Sequence, residues 1–345
     1  PALDANCFSV VWTGSVVMPR TMDGCIGLST QDSMRLYVDD KLLIDGWGKD
    51  KSADQALDFH FEAGRTYKIR IEFVNDRRGA RVIFGYSAGR ENFPAAVEAA
   101  RKADVAILCM GDNEETSGEN FDRTDLNLPG RQLELVQAVY ATGTPVVLVL
   151  QSGRPVTANW ENDHLPAILE AWFPGEQGGT AIAKTLFGDA APGGRLPITF
   201  PRSVGQIPCH YSRRPGGGKR YVEMDWLPLY PFGYGLTYTT FAYRDMALSR
   251  SVIDPQDTVT VSVTVTNTGK YTGDAVPQLY VRDMFSSVVK PERQLAAFRR
   301  LTLAPGESRR VELTVGPKQL RTLGPDYVWR VEPGKFELQL GDNAE

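Results

Sequence analysis

The segment Gly111-Asp-Asn-Glu-Glu-Thr-Ser-Gly-Glu-Asn-Phe-Asp-Arg-Thr-Asp125 gathers six carboxylates and one arginine directly after the apolar run Val105–Met110. In open α/β sheets, ligands bind in the crevice outside the carboxyl ends of the strands, so a loop in this place is where chemistry is expected. Glu119 follows Gly118, which leaves its chain free to reach a ligand, and its charged neighbours can tune its pKa. General acid/base transfer is the chemistry open to such a carboxylate. A solvated acidic connector, or a cation site, has the same composition.

Other segments carry weaker chemical signals. Pro174-Gly-Glu-Gln-Gly-Gly has the texture of a phosphate-cradling turn but lacks the Lys-Ser/Thr of a P-loop, so it is expected to be a tight strand-to-helix turn. Ser152 has no Gly-x-Ser-x-Gly setting, and a serine-hydrolase reading fails. Asp39-Asp40 could be compared with paired calcium-binding aspartates; between two alternating strands they read as a hairpin turn. Trp47 follows that hairpin and is suited either to stacking on a ligand or to ordinary packing. The three histidines and four cysteines (Cys7, Cys25, Cys109, Cys209) have no zinc-site spacing and there is no His-Glu-x-x-His, so no metal is expected. Cys7 and Cys25 could meet across a hairpin, and the thiols leave the compartment open.

Three textures must position these residues. Up to about residue 90 the chain alternates as β-structure does: Leu36 and Val38, then Leu42 and Ile44, flank Asp39-Asp40-Lys41. Tyr67, Ile69, Ile71 and Phe73 alternate with charged residues, and Val82, Phe84 and Tyr86 repeat the pattern. From about 91, Asn92 is a candidate N-cap and Pro94 sits in the first turn of an alanine-rich helix. Val105–Met110 predicts a strand buried on both faces of a parallel sheet. Leu133, Val136, Val139 and Tyr140 share a helical face closed by Gly143. Val146–Leu150 and Ala167–Trp172 predict further strands, and Thr180–Phe187 a further helix. This alternation argues for an α/β layer with a mostly parallel sheet. Arg213–Lys219 reads as a mobile surface loop. Beyond about 240, Val259, Val261, Val263 and Val265 alternate with Thr and Ser, and short strands separated by turn clusters predict a β-sandwich.

The whole-chain arithmetic agrees. At roughly 150 residues per domain, 345 residues imply two or three domains. Hydrophobic residues are 42% and charged residues 23%, an ordinary globular mix. Thirty-eight basic against 42 acidic residues give a net charge of −4, which excludes a nucleic-acid binder held by bulk charge. The longest apolar runs fall far short of the about 20 residues of a membrane-spanning helix, so no membrane partner is expected. The chain begins at Pro1 without a leader and reads as a piece of something longer.

Gly118-Glu-Asn-Phe-Asp-Arg-Thr-Asp-Leu-Asn-Leu-Pro-Gly-Arg-Gln resembles the acid/base loop of glycoside hydrolase family 3, where a glutamate precedes an Asp-Arg pair by three residues. Gln151-Ser-Gly-Arg-Pro, Trp172-Phe-Pro-Gly-Glu-Gln-Gly-Gly, Pro192-Gly-Gly-Arg-Leu-Pro-Ile-Thr-Phe-Pro and Leu229-Tyr-Pro-Phe-Gly-Tyr-Gly-Leu-Thr-Tyr are also similar to that family. Val265-Thr-Asn-Thr-Gly and Gln278-Leu-Tyr-Val-Arg-Asp resemble its fibronectin type III-like domain. Trp12-Thr-Gly and Arg35-Leu-Tyr-Val-Asp-Asp-Lys-Leu-Leu-Ile-Asp-Gly-Trp resemble the protective-antigen-type β domain inserted in some members.

The resemblance implies a multidomain chain: a β-rich inserted domain over 1–90, an α/β sandwich domain over 91–236 and a fibronectin type III-like β-sandwich over 237–345. It implies the C-terminal part of a retaining β-glucosidase acting on terminal non-reducing β-D-glucosyl residues of a β-glucoside or oligosaccharide, without cofactor. Glu119 is then the general acid/base, with Glu114 and Glu115 as rivals, and Trp47 and Glu115 as candidate substrate contacts. Asp122 and Arg123 are expected to pair and shape the loop. The nucleophile and most sugar-gripping residues would lie in an N-terminal (β/α)8 barrel of the same protein, since retention needs two carboxyl groups and this chain supplies one. A homodimer remains open, and a secreted or periplasmic location is slightly favoured over a cytoplasmic one. The alternative class is a non-catalytic carbohydrate-binding module.

Overall fold

The structure is a computed structural model and describes residues 7–30, 32–48, 55–75, 81–88, 93–216 and 220–345. The chain divides into two compact units, Pro1–Ala95 and Ala96–Glu345. Asn92, the candidate N-cap, and residues 217–219 of the Arg213–Lys219 loop lie outside the described residues.

The described part of the first unit is β-structure: β1 (Phe8–Val17), β2 (Met22–Thr30), β3 (Ser33–Val38), β4 (Lys41–Gly46), β5 (Gln55–Phe61), β6 (Thr66–Asn75) and β7 (Val82–Ala88). They pair antiparallel in two sheets, ordered β1-β6-β3-β4 and β5-β2-β7. Period-two alternation turns Tyr67, Ile69, Ile71 and Phe73 of β6 inward. There Tyr67, Ile69 and Ile71 join Met34, Leu36, Val38 and Ile44 against Ile26, Leu28 and Phe61 of the other sheet. Asp39 and Asp40 form a two-residue hairpin turn with φ of 51° and 64°, the left-handed pair that matches the twist of the flanking strands. The Asp39 carboxylate accepts from Lys68 N and Arg65, both at 2.9 Å, which holds it below the usual carboxylate range. That carboxylate serves the turn.

The second unit opens with a layered α/β portion: α1 (Pro94–Arg101, which begins at the join), β8 (Ala106–Gly111), α2 (Gln132–Tyr140), β9 (Val146–Gln151), α3 (Asn159–His164), β10 (Ala167–Glu170) and α4 (Gly178–Leu186). The strands are parallel, in the order β10-β9-β8. Val146, Leu148 and Leu150 of the central strand pack with Val136 and Val139 of α2, Leu128 and Phe200. Two expectations are corrected. β8 is not buried on both faces: it is an edge strand whose Ile107 and Cys109 are exposed. β10 stops at Glu170 rather than Trp172, because Trp172 takes a φ of 54° that no strand continues.

The chain then forms β11 (Phe241–Leu248), β12 (Val259–Asn267), β13 (Gly273–Ala275), β14 (Gln278–Asp283), β15 (Gln294–Phe298), β16 (Leu301–Leu303), β17 (Ser308–Val315), α5 (Pro317–Leu320), β18 (Thr322–Leu323), β19 (Trp329–Arg330) and β20 (Phe336–Gly341). Sheets β11-β12-β17 and β15-β14-β20 supply most of the sandwich core, where Val259, Val261, Val263 and Val265 meet Leu279, Val281, Leu301 and Leu313. The glycine-rich motifs before β11 form the seam with this sandwich. A Cβ on Gly233 would lie 2.1 Å from Gln278 Oε1, and one on Gly193 would lie 2.6 Å from Asp274 Oδ2. Gln278 Nε2 donates to Gly233 O at 3.0 Å. Arg213 is anchored here by Glu292 at 3.2 Å and over Trp226, so the expected mobile loop is fixed at its start.

All four cysteines are free thiols, Cys25 with Ser87 Oγ at 3.0 Å. Asn267 is fully buried and satisfied on every side. Its Oδ1 accepts from Thr239 and from Gly269 N, and its Nδ2 donates to Tyr271 O and Leu303 O. Asn267→Ala would orphan four groups at once. We expect it to cost about 2–4 kcal/mol in urea unfolding, whereas a loss within 0.5 kcal/mol would show that the network does not hold the sandwich.

Candidate active site

The loop between β8 and α2 leaves the sheet through Gly111. Its φ is 140°, and a Cβ there would lie 2.0 Å from Gln151 O, so a side chain is excluded sterically as well as conformationally. Gln132, on the first turn of α2, closes the same point from the other side: Gly111 N donates to its Oε1 at 2.7 Å, and its Nε2 donates to Gly111 O at 2.8 Å. Asp112 N then donates to Gln151 O at 2.9 Å, continuing the parallel ladder one residue into the loop.

The Asp112 side chain is 1% exposed. Its carboxylate meets Arg123 at 3.4 Å, Arg154 Nε at 3.6 Å, the Thr116 hydroxyl at 3.0 Å and Gly153 N at 3.4 Å. The two guanidiniums carry the clamp outward. Arg154 donates to Thr116 O and Phe121 O, while Arg123 donates to Asn127 O at 2.8 Å and meets Asp125 at 3.3 Å. The expected Asp122–Arg123 pair is therefore corrected: Arg123 turns inward to the buried carboxylate, and Asp122 is exposed. Thr157 ties down the far root, its amide to Leu126 O and its hydroxyl to Asn127.

Above this buried root the chain turns sharply. Phe121 N donates to Gly118 O at 3.2 Å, and Asn120 takes a φ of 67°, a conformation Asn tolerates. Glu119 stands between them, exposed at the tip. Glu114 and Glu115 are exposed lower in the loop, where Glu115 N donates to Asn113 Oδ1 in a local turn. Trp47 belongs to the first unit, just past β4; it is 40% exposed, with the Arg35 guanidinium 4.7 Å from its ring centroid. Cavities of about 280 and 400 Å³ lie around Tyr211 and Arg293 and around Tyr140 and Pro145, and neither includes a residue of the 111–128 loop. Among the described residues no three or more His, Cys, Asp or Glu are grouped to hold a metal ion, and no helix is long and apolar enough to cross a membrane.

Residues 14–238 match the glycosyl hydrolase family 3 C-terminal domain, and residues 275–344 match a fibronectin type III-like domain. The chain belongs to glycoside hydrolase family 3. A β-xylosidase of Formosa agariphila is 46% identical over 81% of the chain and 40% of its own length. A periplasmic β-glucosidase of Salmonella typhimurium is 43% identical over 71% of the chain and 34% of its own length. The structure of a Kluyveromyces marxianus β-glucosidase in complex with glucose matches 98% of the chain and 43% of its own, with a TM-score of 0.69 and 29% identity. The family 3 chain thus spans less than half the length of these relatives.

Four residues of the site escaped the sequence reading: Asp112, Gln132, Arg154 and Glu170. Arg154 and Gln132 stand within the motifs Gln151-Ser-Gly-Arg-Pro and Leu128-Pro-Gly-Arg-Gln, and Glu170 is an acid inside an otherwise apolar strand, which was the available signal. Glu170 Oε1 accepts from Trp172 N at 2.9 Å; Oε2 is buried with no hydrogen-bond partner. Burial, reinforced by the charge of Asp112, pushes its pKa up to about 7. The unfolded chain loses this proton near the ordinary value of 4.5, so the folded state binds one more proton between 4.5 and 7. Its contribution is fully present below that range and is lost as pH rises through 7. Glu170→Gln is expected to stabilise the protein by on the order of 2 kcal/mol more at pH 8 than at pH 4.5; equal effects in urea melts at both pH values would refute the assignment.

Proposed function

We propose that this chain is the C-terminal part of a retaining β-glycosidase, with Glu119 as its general acid/base. The observation that carries the reading is the position of Glu119: a carboxylate exposed at the tip of a turn whose roots are clamped at the carboxyl end of a parallel sheet. In this reading Glu119 protonates the glycosidic oxygen as the C1–O bond breaks. A nucleophilic carboxylate from a (β/α)8 barrel, outside this sequence, bonds C1 in the same step. The Glu119 carboxylate then takes a proton from the water that attacks C1 and frees the nucleophile.

The substrate we infer is a terminal β-D-glucosyl residue, as the β-glucosidase relatives suggest. A β-D-xyloside is the second reading, favoured by the Formosa relative named a β-xylosidase. Residues 1–90, 91–236 and 237–345 act as a protective-antigen-type domain, an α/β domain and a fibronectin-like domain. Trp47, with its partly exposed ring, and Glu115 are the substrate contacts in this reading. Export to the periplasm or outside the cell is consistent with the relative named periplasmic.

Leaving-group dependence tests the role of Glu119. An alkoxide needs its proton, whereas a dinitrophenolate departs without one. In the full-length protein, Glu119→Ala should slow cellobiose cleavage by about 10²–10⁴-fold while largely sparing glycosylation by dinitrophenyl glucoside, and azide should restore turnover as β-glucosyl azide. The same behaviour in Glu114→Ala or Glu115→Ala, and not in Glu119→Ala, would move the role to that residue. Trp47→Ala should raise KM for cellotetraose several-fold more than for p-nitrophenyl glucoside; equal changes would place Trp47 away from the substrate.

A further inference from the structure

Glu170, the last residue of β10, lies beneath the acid/base loop. Of its two carboxyl oxygens one is held by Trp172 N, and the other is buried without a partner. Two groups from neighbouring strand ends act on it. The end of β8 contributes Asp112, whose charge opposes a second negative charge here. The end of β9 contributes Ser152, fully buried, whose hydroxyl donates to Arg154 O at 2.8 Å and is near enough to serve the Glu170 carboxylate instead.

That hydroxyl has one hydrogen to give. While Glu170 is neutral, the hydrogen stays on Arg154 O and the Arg154 turn is closed. When Glu170 loses its proton to solvent, the buried, partnerless oxygen becomes a charge in need of a donor. The Ser152 hydrogen is the donor at hand, and the new charge also opposes Asp112. Both effects fall on the anchors of the loop, because Arg154 holds Thr116 O and Phe121 O on either side of the Glu119 turn. The packing there leaves little slack: a Cβ on Gly153 would lie 2.7 Å from Ser117 Oγ and 2.8 Å from the Phe173 ring.

We propose that Glu170 is a proton-linked positioning residue, which holds the Glu119 loop in place while its carboxyl group is neutral and loosens it on ionisation through Ser152, Arg154 and Asp112. The inference deepens the acid/base reading of that loop and rests on it for its catalytic consequence. Its structural content can be measured without catalysis.

The test is amide hydrogen exchange over residues 113–127 in the full-length protein at pH 5.5 and pH 8, corrected for the intrinsic pH dependence of exchange. Protection in the wild type is expected to fall at least threefold at pH 8. Glu170→Gln should keep at pH 8 the protection that the wild type has at pH 5.5. Equal wild-type protection at both pH values, or a Glu170→Gln variant that loses protection as the wild type does, would overturn the proposal. In kinetics, Glu170→Gln should move the alkaline limb of kcat for cellobiose upward by about half a pH unit or more with KM little changed, and an unmoved limb counts against it. If the exchange result holds while Glu119→Ala shows no leaving-group dependence, the acid/base reading fails and the loop coupling stands. If Glu119→Ala behaves as expected and protection ignores pH, only the role of Glu170 falls.

Discussion

The buried carboxylate of Asp112, held between Arg123 and Arg154, is the interaction on which the arrangement of the site depends. A charge with 1% exposure is tolerable only if it is paired and hydrogen-bonded, and here two guanidiniums, a hydroxyl and a backbone amide meet it. Removing one partner of such a cluster typically costs about 3–5 kcal/mol, because the remaining charges stay buried and unpaired. The arginines do more than neutralise. Each donates onward to loop carbonyls, so the electrostatic requirement of one residue fixes the path of the chain from Thr116 to Asn127.

The rest of the loop is built from backbone constraints that support this cluster. Gly111 lets β8 leave the sheet against Gln151, and the Gln132 side-chain amide replaces the ladder partner that a further strand residue would supply. Gly153 allows Ser117 and Phe173 to close on the same turn. Asn120 takes the left-handed conformation that ends the tip just beyond Glu119. The result is a loop with a buried, clamped root and an exposed tip, which is what a carboxylate needs if it must meet a ligand repeatedly in one geometry.

Glu170 departs from that pattern. Every polar atom of Asp112 is answered, whereas one oxygen of Glu170 is not, and the folded state therefore prefers it neutral up to near neutral pH. Two carboxyl groups beneath one loop thus differ in their donors: two arginines, a hydroxyl and a backbone amide meet Asp112, whereas the Trp172 amide and a shared hydroxyl are what Glu170 has. The glycines at the sandwich seam follow a related logic, with backbone brought close enough for Gln278 to bond Gly233 directly. Several motifs by which the chain resembles its family are in this sense packing devices and not chemistry.

What the sequence determined by itself is whatever depends on local periodicity and turn chemistry. Alternation placed the faces of β6 and β12, the Asp39-Asp40 pair gave a left-handed hairpin turn, and the parallel strands followed from apolar runs separated by helical segments. The acidic loop after β8, with Glu119 beside a glycine, was equally legible because the spacing is local. What only the tertiary structure decided is which charges meet. Arg123 is adjacent to Asp122 in sequence but pairs with Asp112, eleven residues away, because the loop folds back and a buried carboxylate outcompetes an exposed one for a guanidinium. The burial of β8 likewise depended on its place at the sheet edge, which no run of apolar residues encodes. Glu170 stands out in the sequence only as an acid in an apolar strand; the desolvation that raises its pKa comes from the strand ends that close over it, a property of the packed chain.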